Sequence, residues 1–143
     1  MIELERGHFD EIVSHARAAA PLEACGVVAG RDGRAVRVYP MENADHSERT
    51  YRFADREQLR VFSEIEDRGW DLYAFFHSHP ATEAFPSATD RARAHWDDPE
   101  TGEPTPTYPG TRYLILSLRD DEPVLRGFRF EAGEPVEEEV RIS

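Results

Sequence analysis

Two histidines one residue apart, His77 and His79 in the run Phe76-His77-Ser78-His79-Pro80, are the residues of this chain best placed to do chemistry. On a β-strand, positions i and i+2 project to the same face, so both imidazoles can converge on one metal ion. A third ligand must come from another element, because consecutive strand positions cannot surround an ion. The loop from Pro80 to Thr89 is long enough to return Asp90, in the segment Phe85-Pro86-Ser87-Ala88-Thr89-Asp90, to the histidines. His77, His79 and Asp90 with one water make a tetrahedral zinc site with an open position, and open sites are catalytic where closed ones are structural. Such an ion lowers the pKa of water from ~15.7 toward ~7 and polarises a carbonyl oxygen.

Hydrolysis at such a site needs an acceptor that takes the proton of the water and hands it to a leaving amine. Within the loop, only Glu83 is suited. Glu23, beside the apolar strand Cys25-Gly26-Val27-Val28, is the better candidate, because apolar surroundings raise a carboxyl pKa toward the operating range. The same residues have plainer roles open to them. The histidines could end a strand in solvent or sit satisfied in a core. Ser87 and Asp90 approximate a capping box, as N-cap and N3, which still allows Asp90 to turn toward a metal. Glu23 could be a solvated turn carboxylate. Cys25 lies in an apolar run and reads as a buried thiol rather than a nucleophile. His15 falls off the apolar stripe of its helix and is expected in solvent, and His95 is expected beside Trp96 near the site. The H-x-E and P-C-x-x-C deaminase pattern is missing its glutamate and its second cysteine. Neither H-E-x-x-H nor G-x-x-x-x-G-K-[ST] occurs.

The elements that must position these groups are legible in outline. Phe9, Ile12, Val13 and Ala16 repeat at helical spacing over His8 to Ala20, and Pro21 closes that helix. Cys25 to Ala29 and Ala35 to Tyr39 read as a hairpin about the Asp32-Gly33 turn. Tyr51 to Phe53 reads as a short strand. A second helix is expected with Asp55 as N-cap, a capping box to Gln58, a stripe of Leu59, Phe62 and Ile65, and a stop at Gly69. Asp71 to His77 is apolar in its middle, as a central strand covered on both faces would be. Ser87 to about Trp96 is expected to be a third helix and Asp97 to Gly110 a surface loop. Tyr113 to Leu118, Val124 to Phe130 and Val136 to Ile142 read as strands, with Glu137-Glu138-Glu139 solvated on an edge. The order predicts an α/β protein with a mixed sheet packed by helices.

Composition bounds the function. The 143 residues predict a single domain spanning 1–143. With 17 basic and 29 acidic residues the net charge is −12, which argues against nucleic acid and against an anionic membrane surface as partners. No apolar run approaches the ~20 residues of a spanning helix. The start of the chain has no basic segment followed by an apolar one, so no secretory leader is expected. The single cysteine excludes an internal disulfide framework. Together these predict a cytoplasmic enzyme or binding domain. All basic residues are arginine; biased genome composition and adaptation to high salt both account for that.

His77-Ser78-His79-Pro80 followed by Ser87 and Asp90 resembles the H-S/T-H-P-x6-S-x2-D pattern of the JAMM (MPN+/Mov34) metalloproteases. Pro21-Leu22-Glu23-Ala24-Cys25-Gly26 is similar to the P-x-E-A-C-G start common in the small stand-alone bacterial branch, the sulfur-carrier-cysteine peptidases. The resemblance runs from roughly Ile2 to Phe130. It implies the JAMM/MPN fold, a curved mixed sheet of cytidine-deaminase-like type. It implies Zn2+ on His77, His79 and Asp90. Glu23 would be the general base and acid, and Ser87 would bind the developing oxyanion or position the water. The implied reaction is hydrolysis of an amide bond after the C-terminal Gly-Gly of a ubiquitin-like or sulfur-carrier protein, with release of cysteine in the bacterial branch. Two other readings follow from the same resemblance: an isopeptidase removing ubiquitin-like tags from lysines, and a non-catalytic MPN scaffold. The 97–110 segment looks longer than its counterpart in the small bacterial members, as a substrate-side insertion or a tolerated loop.

Overall fold

A computed structural model describes all residues from Met1 to Ser143. In chain order the elements are β1 (Ile2–Leu4), α1 (Arg6–Ala19), β2 (Cys25–Arg31), β3 (Arg34–Met41), α2 (Asp55–Asp67), β4 (Asp71–His79) and α3 (Ala88–Arg93). They continue with β5 (His95–Asp97), β6 (Pro104–Pro106), β7 (Arg112–Ser117), β8 (Val124–Glu131), β9 (Glu134–Glu138) and β10 (Val140–Ile142). Six strands form a mixed sheet in the order β3-β2-β4-β7-β8-β9. The β4–β7 pair is parallel and its neighbours are antiparallel. The mixed α/β architecture expected from the element order is therefore present.

The alternation of side chains along β2 and β4 divides the core. One face carries Val28, Ala74 and Phe76, packed with Ile12, Val13 and Ala16 of α1. The other carries Cys25, Val27 and Phe75, packed with Val61 and Ile65 of α2. Each helix thus presents one apolar stripe to one face, as layered α/β packing requires. Gly26 is the point of closest approach, since a Cβ there would collide with the Phe76 ring and the Tyr39 carbonyl. No helix is long and apolar enough to cross a membrane.

Several expectations are corrected. Ile2–Leu4, unread in the sequence, is a strand because it finds a distant parallel partner in β10. The expected strand Val136–Ile142 breaks at Glu139 into β9, which closes the main sheet, and β10, which leaves it. Tyr51–Phe53 makes only one isolated bridge, between Asn43 and Phe53. Helix α2 is capped by Ala54, and Asp55 is already helical. Its buried residues are Val61 and Ile65, while Leu59 is exposed. Gly69, at φ +71°, takes the left-handed turn expected after a helix end. Helix α3 ends at Arg93, and the segment after it is not a plain loop: β5 and β6 pair as a hairpin within it. Tyr108, beyond that hairpin, packs against Phe62 and Phe75. Glu138 is drawn in by Arg112 at 2.9 Å, so it is not solvated as its neighbour Glu137 is.

Candidate metal centre and its cleft

Strand β4 runs out of the core at its C-terminal end with His77 and His79 on one face, both buried. Helix α3 brings Asp90 to them. Ser87 is its N-cap: the Ser87 hydroxyl accepts from the Asp90 amide at 3.0 Å, and Asp90 Oδ2 accepts from the Ser87 amide at 2.9 Å. Capping and convergence are thus the same event, since the oxygen that closes the box also faces both imidazoles. Asp90 Oδ2 lies 3.0 Å from His77 Nε2 and 3.2 Å from His79 Nε2, and the two Nε2 atoms are 3.1 Å apart.

This cluster fits a cation. His79 Nδ1 lies 2.7 Å from the Glu83 carbonyl oxygen. A ring nitrogen that close to a carbonyl carries the proton, so Nε2 is left with a lone pair. That lone pair meets a carboxylate oxygen and a second imidazole nitrogen, a buried convergence of electron-pair donors that a positive ion relieves. Two imidazoles and one carboxylate are the donor set of an open three-ligand site. Tyr51 stacks on the His77 ring at 4.5 Å between centroids and fixes its plane. The expected group of His77, His79 and Asp90 is therefore brought together in space.

Glu23 precedes β2. The β2–β4 register pairs Cys25 with His77 and Gly26 with Phe76, and its continuation sets Glu23 opposite His79. Glu23 is 3% exposed, and its Oε1 has no hydrogen-bond partner. Burial pushes its carboxyl up to about 8, with His79 pulling it down, Asp90 pushing it up and Arg93 pulling it down. Its backbone is clamped on both sides. The Glu23 amide donates to the Ser47 carbonyl at 2.9 Å, and the Asn43 amide group donates to the Glu23 carbonyl at 3.1 Å. Glu23, His79 and Ser87 line one cleft of ≈ 790 Å³, whose rims are Glu48 to Thr50 and Pro80 to Thr82. Asp90 also borders a smaller hollow of ≈ 160 Å³ walled by Tyr51, Phe53, Phe75, Tyr108 and Tyr113.

Three positioning residues escaped the sequence. Ser78, between the two histidines, accepts from the Ala24 amide through its hydroxyl at 2.8 Å. Asn43 bonds Glu23, Thr50, Asp45 and Arg52, and so shapes the loop beside Glu23. Tyr51 had only its place in an apparent strand. Two histidines were misplaced. His15 is not in solvent, because its Nε2 bridges the Cys25 and Met41 carbonyls at 3.0 and 3.1 Å. His95 does not join the site, packing instead on Phe130 at 4.8 Å with Nδ1 on the Arg91 carbonyl. Glu83 enters only through its backbone oxygen. Cys25 is buried and free, and burial pushes its thiol up to about 12, which leaves it inert as the core reading requires.

Residues 5–126 match the family model described as prokaryotic homologs of the JAB domain. The CysO-cysteine peptidase of Mycobacterium tuberculosis is 40% identical over 134 residues, which cover 92% of this chain and 84% of the relative. A desampylase of Haloferax volcanii is 40% identical over 115 residues, covering 76% of this chain and 74% of the relative. The crystal structure of a JAB1/MPN domain protein from Archaeoglobus fulgidus superimposes with a TM-score of 0.60 at 15% identity, covering 99% of this chain and 98% of the other. That likeness bears on the fold, and it agrees with the JAMM/MPN architecture the sequence implied.

Proposed function

The chain belongs to the family of prokaryotic homologues of the JAB domain, and on that premise we propose that it is a zinc-dependent peptidase. Its substrate is a ubiquitin-like or sulfur-carrier protein, cut at the amide bond that follows a C-terminal Gly-Gly. One observation carries the reading: the buried Glu23 carboxyl, with Oε1 unpartnered, shares a cleft with His79 of the His77, His79 and Asp90 group. His77, His79 and Asp90 hold the ion, which when bound polarises the scissile carbonyl and acidifies water.

The remaining work falls to the chain's own residues. Glu23 takes the proton of the attacking water as the new C–O bond forms. It then gives that proton to the nitrogen as the C–N bond breaks. In the metal-free chain burial raises this carboxyl to about 8, and a bound cation would lower it from there toward the range in which one group both accepts and donates near neutral pH. Ser87, whose hydroxyl oxygen already accepts from the Asp90 amide, has its own proton free to donate to the developing oxyanion. A tail of two glycines suits the cleft, because an extended segment without side chains can approach a sheet end closely.

The relative named CysO-cysteine peptidase favours cysteine as the leaving group. The relative named desampylase favours the second reading, in which the same site removes a tag from a lysine side chain. Mass spectrometry of two carrier adducts, one ending Gly-Gly-Cys and one joined through Gly-Gly to a lysine, tests both with and without a chelator. Chelator-sensitive loss of cysteine alone supports the first reading. Loss of the lysine conjugate alone supports the second, and no cleavage of either rejects the peptidase. A non-catalytic scaffold would purify without stoichiometric zinc.

A further inference from the structure

The cleft that holds Glu23 and His79 has a single arginine on its rim, Arg49, and this inference about it rests on the peptidase reading above. Most arginines of this strongly acidic chain lie within pairing distance of a carboxylate, but Arg49 does not. The acids of its own loop are engaged elsewhere. Asp45 is held by Arg93 at 2.6 Å, by Arg52 at 3.6 Å and by the Thr50 hydroxyl at 2.9 Å. Glu42 lies 3.6 Å from His46. Glu48, the chain neighbour of Arg49, is exposed on the same rim and makes no ion pair with it. The backbone beneath Arg49 is nonetheless fixed, because the Ser47 hydroxyl accepts from the Arg49 and Thr50 amides at 3.0 and 3.2 Å. A guanidinium with an unused planar fork, on a braced loop at the mouth of a reaction cleft, is a carboxylate receptor.

The position of that receptor follows from the proton path. Glu23 must deliver its proton to the leaving nitrogen, which puts the leaving group in the cleft that Glu23 lines together with Arg49. When the leaving group is one amino acid, its free carboxylate is attached to the same α-carbon as that nitrogen. When it is a lysine side chain, the nitrogen sits at the end of an alkyl stem and no carboxylate is near. We propose that Arg49 is the specificity-determining residue that grips the free α-carboxylate of a single-residue leaving group. It thereby favours release of a C-terminal amino acid over release of a lysine conjugate.

The test uses the zinc-loaded protein and three substrates on one sulfur-carrier protein: a Gly-Gly-Cys terminus as free acid, its C-terminal amide, and a Gly-Gly–lysine conjugate. All three keep every carboxylate of the carrier, so only the terminal one differs between acid and amide. Wild type is expected to cleave the acid ~10–100-fold more efficiently than the amide, the range of a charge-assisted bond. Arg49→Ala should remove that preference, mainly through KM, and leave the amide and the lysine conjugate within about twofold. A binding arm needs no turnover: Glu23→Gln protein should bind a Gly-Gly-Cys acid peptide more tightly than its amide, and adding Arg49→Ala should equalise the two. Equal losses on acid and amide would mean that Arg49 touches the carrier or only braces its loop, and the proposal falls. It falls also if acid and amide are bound and cleaved alike by wild type. If nothing is cleaved, the peptidase reading fails while the binding arm still decides the role of Arg49.

Discussion

Ser78, on β4, and Ala24, immediately before β2, exchange two hydrogen bonds. The Ala24 amide donates to the Ser78 hydroxyl at 2.8 Å, and the Ser78 amide donates to the Ala24 carbonyl at 2.9 Å. The residue between the two histidines is thereby fastened to the residue after Glu23. The chain just after Glu23 and the strand that carries both histidines are braced together. Ser78→Ala leaves a buried amide unsatisfied, which destabilises by about 1–3 kcal/mol. It should lower kcat more than it raises KM, because Glu23 loses its fixed distance from the ligands. Ser78→Thr keeps the hydroxyl and should restore most of kcat. Steady-state kinetics on the three proteins, with thermal melts alongside, check this. A Thr variant no better than Ala would refute the fastening role.

Glu23 and His79 should separate chemistry from metal retention. Glu23 lies outside the His77, His79 and Asp90 group, so Glu23→Gln should keep its zinc and lose turnover by ~10²–10⁴-fold or more. His79→Ala should lose both. Elemental analysis after dialysis, paired with cleavage of the Gly-Gly-Cys carrier, distinguishes the two outcomes. Zinc lost from folded Glu23→Gln protein would make Glu23 a ligand rather than a proton carrier.

Gly26 sits where the β2 backbone meets the Phe76 ring, immediately before His77 on the paired strand. A methyl group there has no space, since the ring on one side and the Tyr39 carbonyl on the other are both in contact with its position. Gly26→Ala should destabilise by about 1–3 kcal/mol through overpacking. Shifting Phe76 also moves His77, so zinc affinity should fall with stability. Thermal denaturation and a competitive zinc titration measure both. An unchanged melting temperature would show that β2 and β4 have slack at this point.

The candidate site was more legible than the scaffold. His77, His79, Ser87 and Asp90 stand out because few residue types can ligate metals or move protons and their spacing is set by short local elements, whereas Glu23 is brought to them by the β2–β4 pairing. The scaffold depends on partners far along the chain. Ile2–Leu4 becomes a strand only because Val140–Ile142 lies beside it. Leu59, Phe62 and Ile65 make as good a helical stripe in isolation as Val61, Phe62 and Ile65 do. The sheet face lined by Phe75 and Val27 selects the second. His15 has no local partner, and its place is set by the carbonyls of Cys25 on β2 and Met41 on β3. Asn43 reads as one more polar loop residue until its loop folds around it.

The Glu23 carboxyl also predicts how the metal-free protein responds to pH. Its pKa rises from 4.5 in an exposed chain to about 8 in the fold, with burial as the main cause. Between those values the folded protein holds a proton that the unfolded chain has released. The unfolded state therefore binds fewer protons, and stability must fall as pH rises through this window. The loss is a few kcal/mol at most, at about 1.4 kcal/mol per pH unit before relaxation of the site. Asp90 works in the opposite direction and elsewhere: its pKa is lowered, burial being outweighed by the His77 and His79 contacts, so its contribution is lost only as pH falls below the ordinary carboxylate range. Thermal melts in chelator from pH 5 to pH 8 should show a declining melting temperature for wild type. Glu23→Gln cannot ionise and should decline less, whatever the histidines contribute to both. Zinc should raise the melting temperature more at pH 8 than at pH 5, since its ligands must be deprotonated to bind. Parallel curves for wild type and Glu23→Gln would mean that water reaches the carboxyl freely, which would remove the physical basis for its place in the proton relay.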